Sequence, residues 1–227
     1  MHGYMKIPEL KKVCHAYGVS INEYLVAVYV WSVYTECMHG MPSERPVRVA
    51  VPVNLRPYFN SITTKNFFVM VSAEFHPTKE IYTFEEVLKS VSESLRSQIS
   101  RENLEKLFSY NVSNEKLLAA RIVPLFLKNL AMRYVYTTSA LANTATVTNI
   151  GNISVSEEYR PYVEMFHAFL AMSKGQHLKG TICSYGDTLV FSFSYDLTDT
   201  SVQRGFFRKI AADGIAVEIE TNGVNYE

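Results

Sequence analysis

Val47-Arg48-Val49-Ala50-Val51-Pro52-Val53-Asn54-Leu55-Arg56-Pro57-Tyr58-Phe59 decides how this chain is read. Four valines alternate with Arg48, Ala50 and Pro52, which is the two-residue period of a strand with one buried face. Pro52 cannot donate to a ladder, so it marks an edge or a strand end. Arg56 follows directly. An arginine placed just beyond a buried valine strand can reach a carboxylate inside a cleft, and its planar fork would fix that acid bidentately. The plain alternative is a surface arginine stacked on Tyr58.

The alternation resumes downstream, where residues 66–75 predict a second strand with Phe67, Val69, Val71, Ala73 and Phe75 on one face. Upstream, Ile7, Leu10, Cys14 and Tyr17 recur at helical spacing behind Pro8 and stop at Gly18. Ser20 and Glu23 form a capping box for residues 21–38, which are apolar nearly all round. A helix without a wide polar face is buried between layers. Thr83 and Glu86 cap a long amphipathic helix through Val87, Leu88, Val91, Leu95 and Ile99. Residues 101–136 predict further helices, broken near residues 111–113 and at Pro124.

Beyond Ser139 the texture turns to strands, over residues 144–150, 162–173, 179–185 and 188–195. Gly186-Asp187 joins the last two as a two-residue hairpin turn. Thr200 and Gln203 predict a capping box for a final helix that buries Phe206, Phe207 and Ile210. Gly214 closes that helix, and Ile215, Val217 and Ile219 alternate as a last short strand. There is no internal repeat, low-complexity tract or linker. The pattern predicts one α/β (α+β) unit spanning residues 1–227, a mixed sheet covered by helices.

A chain of 227 residues can bury a large core, and 48% hydrophobic with 19% charged residues excludes disorder and coiled coil. Lys+Arg and Asp+Glu are 22 each, so no global field exists to hold nucleic acid or an anionic membrane. Zero net charge also favours self-association at neutral pH. Cys14, Cys37 and Cys183 are odd in number and lack Cys-x-x-Cys spacing, which argues against a disulfide framework or a zinc site and suits a reducing compartment. The opening Met1-His2-Gly3-Tyr4-Met5-Lys6 lacks the layout of a signal peptide. The most apolar long stretch, residues 117–136, is interrupted by Arg121, Pro124, Lys128 and Arg133, short of the uncharged run of about 18 residues that a spanning helix needs. The expectation is a cytoplasmic chain.

None of the six histidines, His2, His15, His39, His76, His167 and His177, sits beside a nucleophile motif. A Gly-rich phosphate loop and a His-Glu-x-x-His metal motif are also missing. His15 reads as a partly exposed structural histidine. His167, between Phe166 and Phe169, faces either a pocket or, as is commoner, an ordinary satisfied surface. Thr146-Val147-Thr148-Asn149-Ile150-Gly151-Asn152 places hydroxyl and amide groups at a strand end beside a glycine. Such groups can donate to a developing oxyanion, or simply make a strand-to-turn transition.

Taken in order, these segments resemble the C-terminal half of the chloramphenicol acetyltransferase-like superfamily, which includes alcohol acetyltransferases, plant BAHD acyltransferases and peptide-synthetase condensation domains. The resemblance rests on Tyr17-Gly18-Val19-Ser20-Ile21-Asn22 opening a buried helix and on Val51-Pro52-Val53-Asn54-Leu55-Arg56. It continues through Asn66-Phe67-Phe68, Thr148-Asn149-Ile150-Gly151, and Phe191-Ser192-Phe193-Ser194-Tyr195-Asp196 before Phe206-Phe207. It implies the C-terminal part of a coenzyme A-dependent O-acyltransferase of alcohol acetyltransferase type. The alternatives are a non-catalytic binding or assembly module and a condensation-type domain acting on carrier-protein thioesters.

Family members act through His-His-x-x-x-Asp-Gly in their N-terminal half, and this chain lacks it. Only His76 has an acid four residues on, Glu80, and there Pro77 and Ile81 break the pattern. The resemblance therefore implies a chain with no catalytic residue of its own, no metal and no tightly bound cofactor. Acetyl-CoA or another acyl-CoA is the implied cosubstrate of the complete enzyme. The implied partners are the missing N-terminal half or a second copy, together with a small-molecule acceptor. Arg56 is implied as a support that salt-bridges the motif's Asp, with Asn66 in the turn that follows. Thr148 and Asn149 are implied beside the tunnel and the oxyanion. Since the partner Asp lies outside the chain, Arg56 is expected to be solvated and cheap to remove here.

Overall fold

The computed structural model describes residues 1–116, 123–173 and 175–222. Its strands are β1 (His2–Lys6), β2 (Val47–Asn54), β3 (Phe68–Phe75), β4 (Ala145–Ile153), β5 (Leu178–Tyr185), β6 (Thr188–Tyr195) and β7 (Val217–Glu220). They form one mixed sheet in the order β3-β2-β4-β5-β6-β1-β7. Only the β2–β4 and β4–β5 pairs are parallel. The helices are α1 (Ile7–Tyr17), α2 (Ile21–Ser32), α3 (Arg56–Phe59), α4 (Phe84–Gln98), α5 (Arg101–Lys116), α6 (Leu125–Leu141) and α7 (Ser201–Ala212).

α2 forms the centre of the core. Tyr24, Leu25, Val26, Ala27, Val28, Tyr29 and Val30 are all fully buried, because the helix lies on the sheet between α4 and α7. The Tyr29 ring stands 5.7 Å from Phe193 of β6 and 6.4 Å from Phe206 of α7. Capping boxes start both α2, through Ser20 and Glu23, and α4, through Thr83 and Glu86, where the sequence places them. A π-helical turn, Val33–Cys37, prolongs α2.

The seam between β2 and β4 is short. Arg48 turns its backbone toward β4, its carbonyl accepting from the Thr144 N–H at 2.8 Å and its N–H donating to the Thr144 hydroxyl at 3.2 Å. Cα pairing then covers only Val49 with Ala145 and Ala50 with Thr146. Orientation repeats every two residues, so the next N–H due to face β4 belongs to Pro52, which has none. The ladder stops there, while β2 continues to pair with β3 as far as Asn54. Pro52 thus marks the end of a ladder within the sheet.

Four expectations need correction. Residues 162–173 form no strand: after the 3₁₀ turn Arg160–Tyr162 the chain crosses the sheet as a strap. Both edges of β5 are already taken by β4 and β6, so no ladder is open to it. Its alternation instead serves a segment with one side on the sheet and one in solvent. Second, α5 runs through residues 111–113 without a break, while residues 117–122 of the apolar stretch lie outside the described residues. Third, Thr200 makes no capping hydrogen bond, and Asp199 instead accepts from the Ser201 N–H at 2.8 Å. Fourth, β1 was not anticipated, because five residues of mixed character give no period.

Gly180 of β5 is fixed by its neighbours. A Cβ there would lie 2.6 Å from Phe191 Cζ and 3.1 Å from Val147 Cγ2, and both side chains are fully buried. Gly180→Ala should lower unfolding free energy by about 1–3 kcal/mol, the usual range for overpacking. Urea denaturation measures this as a fall in midpoint at constant slope. An unchanged midpoint would mean that Phe191 does not pack on this strand.

Candidate functional site

The helices α1, α2, α4 and α7 pack together on one face of the sheet. Across the other face runs the strap, residues 163–173. Cys183 Sγ donates to Phe166 O at 3.1 Å, Lys179 Nζ donates to Ala171 O at 2.7 Å, and the Phe166 ring meets Tyr185 at 5.3 Å. At the Asn54 end of β2 and the Phe68 end of β3, no described residue seals that face. Phe68 and Met70 are 49% and 46% exposed, while Val69 and Val71 beside them are buried against the helices.

A groove of about 470 Å³ lies on this uncovered part, between Pro52, Asn54 and Arg56, the β3 residues Phe68 and Met70, the β4 residues Thr146, Thr148 and Asn149, and Leu170 of the strap. It opens where the β2–β4 ladder ends. The structure thus brings together Arg56, Thr148 and Asn149, three of the four residues singled out from sequence. Asn66 lies outside the groove, exposed on the loop before β3.

Arg56 is not loosely solvated, contrary to the expectation. Its Nε donates to Thr63 O at 2.9 Å, Nη2 to Lys65 O at 2.6 Å and Nη1 to Asn54 Oδ1 at 3.2 Å. The guanidinium folds the loop between β2 and β3 around itself. Three of its five N–H groups are engaged, which leaves two for a further acceptor.

Asn149 is committed elsewhere. Its Oδ1 accepts from the Gly151 N–H at 2.8 Å and its Nδ2 donates to Asn22 Oδ1 at 3.4 Å. Between Asn149 and Gly151 the β4–β5 register slips by one residue, and Gly151 takes φ +85°. The amide therefore holds a bulge, and the glycine permits it. Thr148 faces the groove with no hydrogen-bonding partner for its hydroxyl among the described residues. Of the expected pair, Thr148 is the free donor. The groove's apolar wall of Phe68, Met70 and Leu170 escaped sequence reasoning, since on a strand such residues look like core.

His167 lies on the same face at the other end of the sheet, beside clefts of about 610 and 800 Å³. Its Nε2 is 2.9 Å from Tyr4 Oη, and Tyr4 donates to Glu220. Burial, then the bond to Glu220, pushes the Tyr4 hydroxyl up to about 12, so it stays a donor. His2 Nδ1 lies 2.9 Å from Ser192 Oγ, but Ser192 is 1% exposed and no substrate reaches it. This cluster clasps the strap to β1 and β7. No group of three or more His, Cys, Asp or Glu suited to a metal occurs among the described residues, and no described helix is long and apolar enough to cross a membrane.

Replacing Arg56 should therefore loosen the loop. Arg56→Ala is expected to cost about 1–2 kcal/mol, within the range for hydrogen bonds to charged groups at a partly exposed site. Arg56→Lys should not rescue, because an ammonium cannot span three acceptors in one plane. Hydrogen exchange across residues 61–67 should rise in both variants. Unchanged exchange there would disprove the loop-organising role.

No family model and no curated protein sequence matches the chain. Solved structures do match. A nonribosomal peptide synthetase, FmoA3, overlays with a TM-score of 0.61 at 17% identity, covering 94% of this chain and 21% of that one. The epimerization domain from the third module of tyrocidine synthetase B gives 0.56 at 11% identity, covering 94% and 47%. The wax ester synthase/diacylglycerol acyltransferase from Marinobacter aquaeolei VT8 gives 0.50 at 15% identity, covering 94% and 48%. The chain spans about half the length of the last two. What it shares with them is their architecture, and this chain has the chloramphenicol acetyltransferase-like fold.

Proposed function

We propose that this chain is the C-terminal part of an acyltransferase that moves an acyl group from a thioester to an alcohol. The observation that carries this reading is the groove, which gathers Arg56, Thr148 and Asn149 on a part of the sheet that no described residue covers. The exposed apolar side chains of α6 support a second half as the cover: Leu125, Leu130 and Tyr134 are 72%, 67% and 72% exposed. That half supplies the general base. The base removes the alcohol proton, the oxygen attacks the thioester carbonyl, and the C–S bond breaks to release coenzyme A. Thr148 donates to the oxyanion that forms, and Arg56 uses its two remaining N–H groups to hold a carboxylate of the incoming half.

A condensation-type domain acting on carrier-protein thioesters is the second reading. It is favoured by the better overlay on peptide synthetase structures, 0.61 and 0.56 against 0.50. Supplying the same acyl group on coenzyme A and on a carrier protein separates the two.

The isolated 227-residue chain should release no coenzyme A from acetyl-CoA in the presence of an alcohol. Thiol detection measures this directly. Release that disappears on changing one of the chain's own histidines would overturn the proposal. With a half carrying the His-His-x-x-x-Asp-Gly motif supplied, Thr148→Val should lower kcat by about 100-fold, the scale of losing one oxyanion donor.

A further inference from the structure

Lys179 is the anomaly of the groove's surroundings. It is 6% exposed on β5, and its Nζ has only neutral partners: Ala171 O at 2.7 Å and Ser173 Oγ at 2.5 Å. None of the ion pairs among the described residues includes it. Lysine is almost never this buried unless a counter-charge accompanies it, because desolvating an ammonium is costly.

Its position gives the excess charge a direction. Lys179 pairs with Thr146 across the parallel β4–β5 ladder, so both side chains leave the same face of the sheet. Thr146 lines the groove, and so does Leu170, the strap residue adjoining the Ala171 carbonyl that Lys179 holds. At the other end Arg56 also has only neutral acceptors, Thr63 O, Lys65 O and Asn54 Oδ1. No Asp or Glu lines the groove between them. Among the described residues, neither Arg56, which lines the groove, nor Lys179, which lies outside its lining and next to Thr146 across the ladder, has an acidic partner; the groove's apolar walls are Phe68, Met70 and Leu170. Low-dielectric walls concentrate such a field.

We infer that the groove takes an anionic ligand, a carboxylate or phosphate on an aliphatic arm, and that the buried charge of Lys179 selects it. The inference rests on the groove being the substrate site. The arm lies along Phe68, Met70 and Leu170, and the anion sits in the field of Lys179 behind the groove wall at Thr146.

Calorimetric titration of the full chain with octanoate, octyl phosphate, octanol and octylamine tests it. Octanoate or octyl phosphate should bind at least tenfold more tightly than octanol, and octylamine more weakly still. The ratio of the two anions identifies the head group. Lys179→Met should bring the anion within about twofold of octanol, while Lys179→Arg keeps the preference. The wild-type comparison alone suffices if the Met variant does not fold. Octanol binding as tightly as either anion, or a preference that survives Lys179→Met, would overturn the inference and leave the groove as a substrate site. Failure of all four probes to bind would overturn both.

Discussion

Where the ladder between β2 and β4 ends determines much of the site. Two residue pairs join the β2–β3 hairpin to the other strands, and Pro52 then withholds the N–H that the next rung requires. Beyond that point β2 and β4 lie in one sheet without pairing, and a groove fills the space between their upper ends. The asparagine-held bulge in β4 engages the Asn149 amide and leaves the Thr148 hydroxyl as the free donor of the two at the groove.

The two faces of the sheet have opposite energetics. On one, α2 lies between α4 and α7, and its Tyr29 meets a cluster of phenylalanines from β6 and α7. Burial there supplies the stability of the chain. On the other, polar clasps at Lys179 and Cys183 of β5 and Tyr4 of β1 hold the strap down, and beyond Leu170 no described residue seals the sheet at Phe68 and Met70. Phe68 and Met70 project from it at 49% and 46% exposure. A strand that exposes phenylalanine and methionine on its outer face belongs to an interface or a binding site. The proposed acyl-transfer role rests on this division between a sealed face and an open one.

Most of the fold was legible from sequence because it depends on local signals. The capping boxes at Ser20 and Thr83, the valine alternation of β2 and the Gly186-Asp187 hairpin each act within a few residues and appear where expected. The misreadings came from non-local competition. Residues 162–173 alternate as a strand does, but other strands occupy the edges they would need. β1 exists because β6 and β7 offer it partners, and Gly3 is there because the Phe207 ring occupies the place of a Cβ. In the site, Arg56 was legible as a residue of consequence but not as the organiser of its own loop, since its acceptors are backbone carbonyls that leave no trace in sequence. Lys179 was overlooked within a run that reads simply as a buried strand.

Side-chain footprinting with a small carbene precursor reads how open the Phe68 end of the sheet is. Phe68 and Met70 should be labelled heavily in the chain alone, while Val69 and Val71, which alternate with them, should be protected. Labelling of Phe68 and Met70 as weak as that of Val69 and Val71 would contradict the account, because both faces of the sheet would then be sealed within this chain.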